Sequence, residues 1–247
     1  MKKIIKKVLP FYSWIYRKIS AKILDDGHLF YSQDGEDCVM GYFFQTNKNG
    51  FYVDVGAHHP KYLSNTYRAY KIGWSGINID PMPGFAEKFK KVRPRDICLE
   101  MGVSKTQDRL SYYSFETPEM NTFSEEEANE SLSEGNKLLA KIDIDTLPLS
   151  SILDQSLPEG KNIDFLSVDV EGFDMIVLES NNWDKYLPRA IAIEEMRYTA
   201  IEDIIKESEI YKYLASKGYS LFYRTKYTSV YMLGGIGSNQ QKFIQKK

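Results

Sequence analysis

Three features of the 247-residue sequence predict an α/β fold: a mostly parallel, twisted sheet with helices on both faces and an antiparallel C-terminal hairpin. Strand-length apolar runs alternate with helix-compatible runs through most of the chain, the pattern of a parallel sheet covered on both sides. Acids recur where those strands end, at Asp54, Asp80, Glu100, Asp169 and Glu194, and open sheets bind ligands beyond their carboxyl ends. The last two strand runs, 219–224 and 229–233, follow one another closely enough to pair as a hairpin. A chain of this length accommodates one such domain. It is assigned to residues 31–247, with an acidic insertion near 116–136, after a basic amphipathic segment at 1–30.

In that first segment Ile4, Val8, Tyr12, Ile15, Ile19 and Ile23 recur at helical spacing among lysines and arginines. Interspersed charge and Pro10 prevent residues 1–24 from spanning a bilayer, and the small-residue cleavage site of a signal peptide is missing. Two expectations follow: peripheral contact with an anionic membrane surface, or packing on the domain itself or on a partner subunit, as in a homodimer. A net charge of −2 gives no footprint for a nucleic-acid partner. Two cysteines, Cys38 and Cys98, lie in apolar runs, which suits a reducing cytoplasmic setting rather than a disulfide framework.

The polar cluster from Ser32 to Asp37 reads as a capped start for a helix over 38–44. Residues 51–55 form a short buried strand that meets Gly56. Ser64 can cap a helix that runs to Ile72 and stops at Gly73, and 75–80 is the next strand. A helix over 85–92, a third strand over 96–103 and an edge strand over 109–115 follow. The insertion is read as helical at 125–132, either a lid or a solvated loop. Beyond it come strands at 140–147, 163–170 and 188–195, helices at 150–155 and 173–180, and one long helix at 199–217.

Strand, glycine turn, helix, strand and terminal acid make a nucleoside-binding βαβ unit of the Rossmann type, with Asp80 placed for ribose hydroxyls. The turn holds only Gly56, with Ala57, His58 and His59 where a dinucleotide site wants further glycines. One glycine suits an adenosine ligand without pyrophosphate, such as S-adenosylmethionine, and makes NAD the weaker reading. Asp54 could then face the cofactor's cationic end. Asp169, Glu171, Glu194 and Glu195 remain on two neighbouring strands. Asp169, Glu194 and Glu195 could ligate Mg²⁺ or Mn²⁺; alternatively the group binds substrate hydroxyls directly or pairs with Arg189, Arg197 or Lys185. Methyl transfer to a hydroxyl benefits from a general base, for which His58, Asp169 and Glu194 are the candidates.

Taken in order, several of these pieces resemble the FkbM family of S-adenosylmethionine-dependent methyltransferases. They are Ser32 to Asp37, Asp54 to His58 with Ser64 to Thr66, Gly73 to Gly76 leading to Asp80, Asp169 to Gly172, and Ile193 to Glu195. The resemblance implies a class I methyltransferase fold and O-methylation of sugar or polyketide-type hydroxyls. It implies cofactor contacts at Gln33, Asp54, Gly56, Ala57, Ser64, Asn65, Asp80, Met101 and Asp169, and substrate contacts at Glu36, Glu171, Glu195 and Arg197. Bacterial relatives act in surface-polysaccharide assembly, so a nucleotide-sugar or glycan acceptor is expected. N-methylation of an amine or amidate, and a non-catalytic methyltransferase-like module at the membrane, are the alternatives.

Overall fold

The structure, a computed structural model, describes residues 30–44, 47, 49–195, 197 and 200–234. The amphipathic segment at 1–24 lies outside the described residues. No helix among the described residues is long and apolar enough to cross a membrane.

Strand β1 (Phe51–Val55) is central, flanked in parallel by β2 (Ser75–Asp80) and β7 (Phe165–Val168). Beyond β2 lies β3 (Ile97–Glu100), and beyond β7 lies β8 (Ala190–Glu194), both parallel. The hairpin β9 (Tyr219–Arg224) and β10 (Thr228–Leu233) completes the edge, with β10 antiparallel to β8. The resulting order is β3-β2-β1-β7-β8-β10-β9. The order in which the chain adds strands reverses its sense between the parallel neighbours β1 and β7, which creates the crevice where such sheets bind ligands.

Period-two alternation divides the core between the two faces. Phe51, Val53 and Val55 join Ile77, Ile79, Leu166, Val168, Ile191 and Ile193 on one face. Tyr52 joins Trp74, Phe165, Ala190 and Ala192 on the other. Helices α5 (Leu149–Ser156), α6 (Asp174–Glu179) and α8 (Glu209–Ser216) contribute to the first face. Helices α1 (Glu36–Phe44) and α2 (Tyr67–Lys71) contribute to the second. Helix α3 (Phe85–Val92) packs its Phe85 and Phe89 with Ala57 in a smaller cluster.

Two expected elements are divided. The strand read over 96–103 ends at Glu100; after Met101 the chain enters a second sheet as β4 (Gly102–Val103). There β6 (Leu138–Leu147) pairs in parallel with β4 and antiparallel with β5 (Asp108–Phe115). The long helix read over 199–217 becomes α7 (Ile201–Glu207) and α8, separated by Ser208 in an extended conformation at φ −61° and ψ 124°. The Ser208 hydroxyl accepts the Tyr211 N–H and donates to the buried Glu195 carboxylate. That competing side-chain bonding ends one helix and caps the next.

The insertion carries a short 3₁₀ turn (Pro118–Met120) and α4 (Glu125–Ser133), whose Ser124 cap accepts from Glu127 N at 3.2 Å. A buried guanidinium stabilises the loop after Gly56. Arg93, 0% exposed, donates to Pro60 O at 2.7 Å, Ser64 Oγ at 2.6 Å, Thr66 Oγ1 at 2.8 Å and Asn78 Oδ1 at 3.2 Å.

Candidate active site

A cavity of about 490 Å³ opens at the β1/β7 crevice, within the usual size range for small-molecule and cofactor sites. Gly56, His58, Asp80 and Met82 line it from the β1 and β2 ends, and Asp169, Glu171 and Glu194 from the β7 and β8 ends. Glu127, Glu130 and Ser131 of α4 close another wall.

Gly56 must be glycine. Its φ is +78°, and a Cβ there would lie 1.7 Å from the Asp169 carbonyl oxygen. Only a bare Cα lets the turn pass this close to the end of β7. Asp80 fixes the same turn: its carboxylate accepts the N–H of His58 and of Met82, each at 2.8 Å. Each oxygen retains acceptor capacity for a ligand hydroxyl. Burial raises the Asp80 pKa, opposed by those two backbone donors. A tight turn that excludes a side chain, a buried acid with spare acceptors and a cavity of this size fit a nucleoside-bearing cofactor.

On the opposite wall Asp169, Glu171 and Glu194 each offer an oxygen within 4.8 Å of the others. Burial raises all three pKa values, and repulsion from Asp169 adds to the rise at Glu171 and Glu194. Glu194 is pushed up to about 11, first by burial and then by repulsion from Asp169, Glu171 and Asp174. Burial raises Asp169 less, to about 6, because hydrogen bonding with Glu194 opposes the rise. Asp174, next along the chain, is buried with one carboxylate oxygen lacking a hydrogen-bond partner, and burial pushes its pKa to about 7. These three oxygens could also hold a divalent cation.

Several expected site residues sit elsewhere. Asp54 does not line the cavity; it shares the β1 face of Tyr52, and its carboxylate accepts from Thr66 Oγ1 at 2.5 Å. Ser64 serves Arg93 and the start of α2, and Ala57 packs with α3. Asn65 does line the cavity and donates to Ser167 Oγ at 3.2 Å. Met101 packs against the main core. Glu100 accepts from Gly84 N and Ala86 N at the start of α3.

Glu36 is buried away from the cavity lining; Asp34 N and Thr225 Oγ1 donate to its two oxygens. Exposed Gln33 does reach the cavity. Glu195 is removed from the cation set: Ser208 Oγ and Tyr231 OH occupy its two carboxylate oxygens in the core. Glu171 stands in its place. Arg197 is exposed and lies near Glu127, whose pKa it lowers against the larger effect of burial. Arg189 pairs with Asp164 and Lys185 with Asp154, so neither balances the trio. His58 lines the cavity with its Nε2 3.8 Å from Glu119 Oε1, while His59 shapes the loop by accepting from Lys61 N and Tyr62 N.

The sequence reading missed Tyr112, Asn121, Thr122 and the inward face of α4. The signal for α4 was present as Glu127, Glu130, Ser131 and Glu134, three, four and seven residues apart, which places them on one helical face.

Fold and site together define a nucleoside-cofactor α/β enzyme whose crevice holds a cluster of three carboxyl groups. Residues 54–221, more than half of the chain, match the Methyltransferase FkbM domain, and the chain belongs to that family. Its activity is therefore S-adenosylmethionine-dependent methyl transfer. No curated protein matches it. Among solved structures it is similar to a TehB-like SAM-dependent methyltransferase from Corynebacterium glutamicum, at 11% identity and a TM-score of 0.37, over 91% of this chain and 99% of that one.

Proposed function

We propose that the chain methylates a hydroxyl of a sugar-containing acceptor, with Asp169 as general base. The observation that carries this reading is the convergence of Asp169, Glu171 and Glu194 on the cavity wall beside the Gly56 turn, with carboxylate oxygens within 4.8 Å of one another. S-adenosylmethionine supplies an activated methyl group on a sulfonium when bound. Gly56, Asn65 and Asp80 would hold it, Asp80 through hydroxyls and Gly56 by allowing close backbone approach.

A sugar hydroxyl is a poor nucleophile, so proton removal matters. Glu194, pushed up by burial and by its acidic neighbours, keeps its proton and offers it as a hydrogen bond to Asp169, which is then the ionised member of the pair. Asp169 takes the acceptor hydroxyl's proton as that oxygen becomes the nucleophile. Glu171, raised by burial and by Asp169, stays protonated and can donate to a second hydroxyl. Tyr112, Asn121, Thr122 and Ser131 give the cavity a hydroxyl and amide lining suited to a polyol. Alignment of acceptor and methyl group supplies the rest of the acceleration.

With labelled methyl donor and a panel of glycosides, Asp169→Asn is expected to lose turnover while keeping its affinity for S-adenosylhomocysteine. The product should be a methyl ether. A wild-type rate in Asp169→Asn, or a methylamine product, would overturn the assignment. Activity in excess chelator tests whether protons alone balance the trio; loss restored by Mg²⁺ or Mn²⁺ would place a cation on it instead.

A further inference from the structure

We infer that Thr122 is a positioning residue for the methyl transfer: its hydroxyl holds the Glu171 backbone in a left-handed turn, and so keeps the Glu171 carboxyl in the cavity. This rests on the function proposed above, in which Glu171 donates to a second hydroxyl of the acceptor.

Glu171 and Gly172 are the central residues of a tight turn between β7 and α6, closed by a hydrogen bond from Phe173 N to Val170 O at 3.3 Å. Both have positive φ, +48° and +89°. Glycine, asparagine and aspartate dominate such positions, because the left-handed region crowds the Cβ of other residues against the following carbonyl. Glutamate is a costly choice there. Among the described residues two other non-glycine residues have positive φ, His58 at 47° and Leu63 at 52°, and all three line the cavity. Backbone held in this way persists only where its surroundings over-determine it, and it concentrates at functional sites.

At Glu171 those surroundings come from the insertion. Thr122 Oγ1 donates to Glu171 O at 2.7 Å, which commits the one proton a hydroxyl has. Thr122 is itself fixed, at 2% exposed. It exchanges backbone hydrogen bonds with Tyr113 of β5 at 2.9 Å and 3.2 Å, and its Oγ1 accepts Ser124 N at 2.8 Å. The neighbouring Phe123 and Phe173 rings have centroids 5.8 Å apart. A Cβ on Gly172 would lie 2.8 Å from Glu127 Cγ, so α4 packs directly on the turn. The second sheet thus anchors the Glu171 carbonyl through Thr122. A turn released to ordinary negative φ would swing the Glu171 side chain away from Asp169 and Glu194. The insertion acts as a fixed wall of the site, not as a cover that opens.

The test compares Thr122→Val, Thr122→Ser, Glu171→Gln and the Thr122→Val/Glu171→Gln double variant in the full chain. The acceptor is the methyl glycoside that turns over fastest with labelled methyl donor. Thr122→Val removes the donor at nearly constant shape and should raise the acceptor KM about tenfold. Its kcat should change much less, and its S-adenosylhomocysteine affinity should stay at the wild-type value. Thr122→Ser should restore the KM. In the Glu171→Gln background Thr122→Val should add little, because both changes act through one carboxyl. Hydrogen exchange reads the turn without any acceptor: the Phe173 amide should exchange about tenfold faster in Thr122→Val and at the wild-type rate in Thr122→Ser. An unchanged KM, unchanged exchange at Phe173, or loss of S-adenosylhomocysteine binding in Thr122→Val would each overturn the inference. So would additive effects in the double variant, which would make Thr122 a direct contact of the acceptor. Turnover of no glycoside by the wild type is the separate result that counts against the function proposed above, and the exchange measurement then decides alone whether Thr122 holds the turn.

Discussion

Asp169 and Glu194 lie at the ends of adjacent strands, and the proposed function gives each a separate task, Asp169 as base and Glu194 as the protonated partner. The base must be ionised to act, and Asp169 is raised by burial to about 6. Turnover should therefore be level above that pH and fall about tenfold per unit below it. Asp169→Asn should lose about 10²- to 10⁴-fold and become insensitive to pH over this range. Glu194→Gln still offers an N–H to Asp169, so it should lose far less than Asp169→Asn. Equal losses in the two variants would mean that Glu194, not Asp169, is the base.

The acids at 54, 80, 169 and 194 were legible because each interrupts an apolar run. Where each one points was not legible, since a single residue of offset reverses the face of a strand. Glu194 and Glu195 are the clearest instance: the first faces the cavity and the second is bound in the core by Ser208 and Tyr231. Asp54 likewise shares the Tyr52 face, where Thr66 binds it.

Among the elements, the break at Ser208 has the largest predicted energetic consequence. Ser208→Ala would remove a helix cap and a hydrogen bond to a buried carboxylate together. The expected destabilisation is about 2–4 kcal/mol, read from urea unfolding, with the far-UV spectrum of the native protein little changed. A loss within about 0.5 kcal/mol would mean that the α7–α8 junction is set by chain geometry alone. Element type was largely legible from periodicity and punctuation, including the hairpin and the insertion helix. The two breaks were not. Residues 199–217 keep helical spacing across Ser208, and residues 96–103 keep strand character across Met101; only partners distant in sequence, Glu195 for the first and β6 for the second, reveal the division.

At the scale of the molecule, the acid cluster links stability to pH. The fold raises the pKa of Asp169, Glu171, Asp174 and Glu194 above the unfolded carboxylate value of about 4. Between the unfolded and folded values the native state binds more protons, so the cluster's contribution to stability falls as pH rises through that window. The ligand-free protein should lose melting temperature between pH 5.5 and pH 8, and Glu194→Gln should reduce that loss. An unchanged slope in the variant would show that the trio does not share a proton.

The central claim is that the crevice between β1 and β7 binds an adenosine-bearing methyl donor through Asp80. Calorimetric titration with S-adenosylhomocysteine tests it most directly, on the wild type and on Asp80→Ala. The account predicts micromolar binding by the wild type and a loss of about tenfold or more in the variant. It also predicts lower stability for Asp80→Ala, because the His58 and Met82 N–H groups lose their acceptor. No binding by folded wild-type protein, or equal affinity in a folded Asp80→Ala, would contradict it.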